Sequence, residues 1–128
     1  MKKYILTLLW IIGIIFPMAW LTNFNSSFNE WFSSTFQPEW MHVVMHSMLY
    51  FVLSLLILFG QFYKTRQFFL TLAIILIIGI IQELFQLTAG VLLGWGTLFD
   101  LAVDLFGGLF GWLIYQTITR FLLNRNEE

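Results

Sequence analysis

The sequence predicts an all-α protein, a four-transmembrane-helix bundle built as one domain over residues 1–128, on three observations. The chain is 59% hydrophobic and only 10% charged, against about 25% charged residues in a soluble domain. Its apolar residues fall into four long runs, at about residues 4–21, 42–62, 68–87 and 98–120, each near the length of about 20 residues that crosses a bilayer. Its six basic residues, Lys2, Lys3, Lys64, Arg66, Arg120 and Arg125, all fall on one side of that arrangement. The positive-inside rule then puts both termini and the middle turn in the cytoplasm. The lipid bilayer is the first partner this implies. A net charge of −1 with no basic stripe argues against nucleic acid. With no cysteine, disulfides and thiolate chemistry are excluded.

The first run follows Lys2 and Lys3 and is apolar apart from Thr7. A basic start before an apolar run also suits a signal peptide, but no small-x-small cleavage site follows, so an uncleaved span is expected. Pro17 is expected to kink or fray its last turn. Residues 22–40 form a polar, aromatic connector without Lys or Arg. Phe24, Phe28, Trp31, Phe32 and Phe36 recur there at helical spacing, and Ser27-Phe28-Asn29-Glu30 fits a capping box. An interfacial helix in the first outer loop is the expectation. The second run is interrupted by His42, His46 and Ser47 near its start, then by Ser54 and Gln61. A short basic turn leads to the third, which is polar only at Thr71, Gln82, Glu83 and Gln86. An uncharged, Gly-rich turn then leads to the fourth, with Asp100 and Asp104 near its start.

Three carboxylates, Glu83, Asp100 and Asp104, stand out in these runs. An acid inside an apolar span costs roughly 2.5–3.5 kcal/mol on insertion scales, so it usually has a partner and a role. The topology puts His42, His46, Glu83, Gln86, Asp100 and Asp104 at similar depth, near the outer ends of three spans. Their spacings are i, i+4, then i, i+3, then i, i+4, so each set shares one helical face. Gly107, Gly108 and Gly111 continue the face of Asp100 and Asp104. These groups are expected to point inward and pair.

Each also has a plainer role. His46 suits simple helix packing, and His42 lies near the headgroups, where exposure is expected. Gln86 suits a support for Glu83. Asp100 suits a cap or first-turn position of the fourth helix. Gly107 and Gly111 form a small-xxx-small pair suited to close helix contact. Glu83 and Asp104 lie too deep for such explanations.

Three chemistries fit the cluster. Crowded acids cannot all be charged at low dielectric, so some are protonated or paired with His46, which suits acid–base work. Two histidines at i, i+4 beside carboxylates suit a divalent metal such as zinc. A pocket for a polar headgroup or amide-rich ligand is the third. Cofactor, metal, substrate and oligomeric state stay open at this point.

The residues resemble the VanZ-like family of small bacterial membrane proteins. The likeness rests on His46-Ser-Met-Leu-Tyr50-Phe51, on Glu83-Leu-Phe-Gln86, and on Asp100-Leu-Ala-Val-Asp104-Leu-Phe-Gly107-Gly108-Leu-Phe-Gly111, and spans about residues 41–115. The family pattern is His-x-x-x-Tyr, Glu-x-x-Gln and Asp-x-x-x-Asn-x-x-Gly-x-x-x-Gly. Here Asp104 stands in place of the Asn, and the family's Lys and Arg beside these motifs are replaced by His42-Val43 and Gly94-Trp95-Gly96. The resemblance implies a multi-pass protein of the bacterial cytoplasmic membrane acting at the cell envelope. It implies a site of His46, Glu83, Asp100 and Asp104, with Tyr50, Gln86 and His42 beside them, for an envelope, lipid-linked or peptidoglycan-related component. The founding member's association with teicoplanin resistance extends that expectation to antibiotic resistance. The alternative is a membrane-embedded hydrolase or transferase, acid–base or metal-assisted, acting on a lipid-linked substrate.

Overall fold

The structure is a computed structural model that describes residues 2–16, 26–36, 39–60, 67–88 and 94–125. Among these residues every regular element is an α-helix: α1 (Lys2–Ile15), α2 (Ser26–Phe36), α3 (Glu39–Phe59), α4 (Gln67–Thr88) and α5 (Trp95–Arg125). Three are long and apolar enough to cross a membrane, over Trp40–Phe59, Phe68–Thr88 and Trp95–Leu122. The protein is therefore all-helical and of multi-pass membrane type. The predicted first span is shorter as seen. Helix α1 has 14 residues, about 21 Å at 1.5 Å per residue, below the roughly 30 Å of a bilayer core. The rest of that expected span, 17–21, and the kink expected at Pro17 lie outside the described residues.

Other boundaries move by a few residues. Helix α2 begins at Ser26, one residue before the expected cap at Ser27. Helix α3 starts at Glu39 and ends at Phe59, so it is shifted by about one turn from 42–62. Helix α4 matches 68–87 to within a residue at each end. Helix α5 runs 31 residues, beyond both ends of 98–120. Its start is set by Gly94, whose carbonyl accepts from Leu98 N–H at 3.4 Å and whose own N–H reaches Thr97 Oγ1 at 3.4 Å. That second bond is the return half of a capping box, with Thr97 in the Glu/Gln position.

The sides that face away from neighbouring helices carry large apolar groups. Leu8, Leu9, Ile77, Ile80, Phe106 and Phe110 are all at least 44% exposed. Such continuous apolar cover is avoided in water and suits lipid. The core lies at the meeting of α1, α3 and α4, where Ile14, Tyr50, Leu53, Ile57, Ile75 and Ile78 are buried. The Trp10 indole N–H donates to Leu49 O at 3.0 Å and ties α1 to α3.

Helices α3 and α5 make the most extensive contact. Glycines on α5 make it a close one. A methyl group at Gly107 would collide with the Ser47 backbone, and one at Gly111 would lie 2.8 Å from Phe51 O and from Ser54 Cβ. The third glycine, Gly108, faces Ile75 of α4 instead. Its carbonyl accepts from Ser54 Oγ at 2.9 Å. Without water competing, that bond is a second tie across the same seam.

Gly107→Ala is expected to force α3 and α5 apart and lower stability by about 1–3 kcal/mol. Gly96→Ala, whose methyl would meet nothing within 4 Å, is expected to leave stability unchanged or raise it. Thermal unfolding of the detergent-solubilised protein measures both.

Candidate functional site

Helical periodicity puts His42, His46 and Tyr50 on one face of α3 and Asp100 and Asp104 on one face of α5. The two faces meet as rungs. His42 Nε2 lies 3.2 Å from Asp100 Oδ1, and His46 Nδ1 lies 2.8 Å from Asp104 Oδ1. Both pairs are 58 residues apart in sequence. The two helices therefore run in the same direction and in register across the seam. The histidines also touch each other, with ring centroids 4.4 Å apart.

The rungs differ in wetness. The His42 and Asp100 side chains are 49% and 15% exposed, those of His46 and Asp104 only 7% and 2%. Moving inward, Tyr50 is fully buried and its hydroxyl donates to Gln82 Oε1 of α4 at 2.7 Å. The Asp104 carboxylate and the Tyr50 hydroxyl both approach Gly79, at 3.1 and 3.6 Å from where its Cβ would stand. A side chain at Gly79 would close that space, so glycine there lets the backbone of α4 approach the polar groups.

Glu83 is the exception to this pattern of pairing. It is 4% exposed, and its Oε1 has no hydrogen-bond partner. It is close enough to His42, His46, Asp100 and Asp104 for their charges to interact, and Thr97 of α5 stands beside it. A buried polar atom left unmatched costs about 1–3 kcal/mol, more when charged. Most such atoms in folded proteins are matched, so this one stands out among the described residues.

The expectations drawn from the sequence can be placed one by one. His42, His46, Tyr50, Asp100 and Asp104 stand in one connected cluster, with Glu83 beside them. Asp100 is not a cap: it lies five residues inside α5, whose start is held by Gly94 and Thr97. Gln86 is half-buried, and among the described residues no hydrogen bond joins it to Glu83. The glutamine that takes part is Gln82. Its signal was available in the sequence, since Tyr50 inside a span needs an acceptor and Gln82 is one of few at the right depth. Metal-ligating geometry is offered by His42, His46 and Asp100, whose donor atoms lie within 4.8 Å of one another.

Comparisons with protein-family models, with curated proteins and with solved structures return no match.

Tyr50→Phe removes the donor to Gln82 and is expected to cost about 1–3 kcal/mol of stability. The rung geometry has its own check, because the chain contains no cysteine. A His42→Cys/Asp100→Cys pair is expected to crosslink with a short bifunctional thiol reagent. A Val44→Cys/Asp100→Cys pair, with Val44 on the exposed side of α3, is expected not to.

Proposed function

We propose that this is a four-span, VanZ-like protein of the bacterial cytoplasmic membrane whose outer-leaflet cleft binds the polar headgroup of an envelope component, lipid-linked or peptidoglycan-related. The fourth span is the first run, 4–21, which contains most of α1. Both termini lie in the cytoplasm, because all six basic residues fall on one side of that topology. The second span, the end of the third and the start of the fourth then present their polar groups outward, toward the envelope.

The observation that carries the reading is the buried, unpartnered Oε1 of Glu83. Around it the other polar groups are already paired: His46 with Asp104, His42 with Asp100, and Tyr50 with Gln82. Those pairs fix the walls, and Glu83 offers the acceptor that a ligand's N–H or O–H completes. The gradient from a wet outer rung to a dry inner one suits a headgroup entering from the surface, with its tails among the exposed apolar side chains. Four of the residues that carry the family likeness, His46, Tyr50, Glu83 and Asp100, lie in or beside this cluster. A part in glycopeptide resistance belongs to the same reading, through binding of an envelope precursor.

Untargeted lipid mass spectrometry on purified wild type and Glu83→Gln tests it. One lipid-linked species is expected to be enriched with the wild type and reduced about tenfold or more in the variant, the effect of losing one charge-assisted bond. Indistinguishable lipid profiles would remove the basis for the proposal.

A further inference from the structure

We infer that the outer end of this cluster is also a divalent-metal site, suited to zinc, with His42, His46 and Asp100 as ligands; the inference rests on the cluster being a ligand site and names what sits in it. The donor set comes first. Ring nitrogens of both histidines and a carboxylate oxygen of Asp100 lie within 4.8 Å of one another. Within that set, His42 Nε2 and Asp100 Oδ1 are 3.2 Å apart. Two ligands on one tetrahedral zinc, with bonds of about 2.0–2.1 Å, stand roughly 3.3–3.4 Å apart. That pair is already spaced to share an ion in place of a proton. Bringing the His46 nitrogen to the same spacing takes a shift of about 1.5 Å.

His46 is held as a metal-ligating histidine usually is. Its Nδ1 is bonded to the buried Asp104 carboxylate at 2.8 Å, which leaves Nε2 as the free lone pair. A carboxylate on the far nitrogen fixes the ring and makes it a better ligand. Asp104, too deep to reach the ion, has that supporting role. Three protein ligands leave a fourth position, which water or an anionic headgroup oxygen fills.

Charge points the same way, independently of the donor spacing. Three carboxylates, Glu83, Asp100 and Asp104, share a low-dielectric region with two histidines. The described basic residues of α5, Arg120 and Arg125, lie sixteen or more residues beyond Asp104, about 24 Å along the helix. A divalent cation at the outer rung offsets much of that negative charge. The unpartnered Glu83 Oε1 then accepts from a metal-bound water.

The test uses the full chain in detergent, stripped with a chelator, re-equilibrated with zinc ion alone, and assayed for metal by mass spectrometry after gel filtration. About one zinc per chain is expected in the wild type. His42→Gln is expected to lower zinc affinity tenfold or more; it keeps a hydrogen-bonding group on the half-exposed rung, so the bundle stays folded, as its gel-filtration and melting profiles check. Asp104→Asn is expected to weaken binding by about 10–100-fold through His46. His42 and His46 are the only histidines, and there is no cysteine, so undiminished zinc in the His42→Gln/His46→Gln variant overturns the inference. So does a wild type that takes up no zinc. The two readings separate cleanly: lipid enrichment without zinc retains the headgroup role and removes the metal site. Zinc binding with a lipid profile insensitive to Glu83→Gln does the reverse.

Discussion

The close contact between α3 and α5 is the constraint on which the rest of the structure depends. Gly107 and Gly111 remove side chains where Ser47, Phe51 and Ser54 press against α5. Only at that separation do histidine and aspartate, both short of the reach of Lys or Arg, bond directly across a helix pair. Were the seam built of leucines, the rungs would part, and two acids would stand unpaired in an apolar medium. Breaking one buried pair by removing a partner costs about 3–5 kcal/mol. Small residues and polar residues thus act together here, the first making the second affordable in free energy.

Helix α4 plays a different part. It brings no charge partner of its own to the rungs. It closes the inner end through the Tyr50–Gln82 bond and sets Glu83 against the outer end. Gly79 lets its backbone come near enough for both. Three helices therefore contribute three kinds of group: imidazole and phenol from α3, carboxylates from α5, amide and a spare carboxylate from α4. The result is a polar cluster in which, among the described residues, one buried side-chain atom is left unmatched.

Much of this was legible in the sequence. The apolar runs gave the helices, and the i, i+4 spacings of His42 with His46 and of Asp100 with Asp104 gave their shared faces. Equal depth followed from alternating span direction, which is why the cluster could be expected without coordinates. What could not be read was pairing. Depth known only to about a turn cannot say that His46 takes Asp104 while His42 takes Asp100, because the axial alignment of α3 and α5 decides it. Depth chose Gln82 over Gln86: the two share a face of α4, and Gln82 is the one level with the Tyr50 hydroxyl. The position of Asp100 was misjudged for a different reason: Trp95, Gly96 and Thr97 read as turn residues, and the weak cap at Gly94 gave no strong start signal.

The shared 58-residue offset of the two rungs has a mechanical consequence. Glycines and rung residues on α5 both repeat every four residues, but a slide of one helical turn would put Val103 against Ser47, or Tyr115 against Phe51, where a glycine now lies. Chemistry opposes the slide as well. A one-turn slide would match His46 with Asp100 or His42 with Asp104, keep a single bond, and strand one acid and one imidazole. Of these, the dry Asp104 is the costlier to strand. The glycine contacts and the paired rungs thus select the same alignment, and the cluster's geometry is fixed to it.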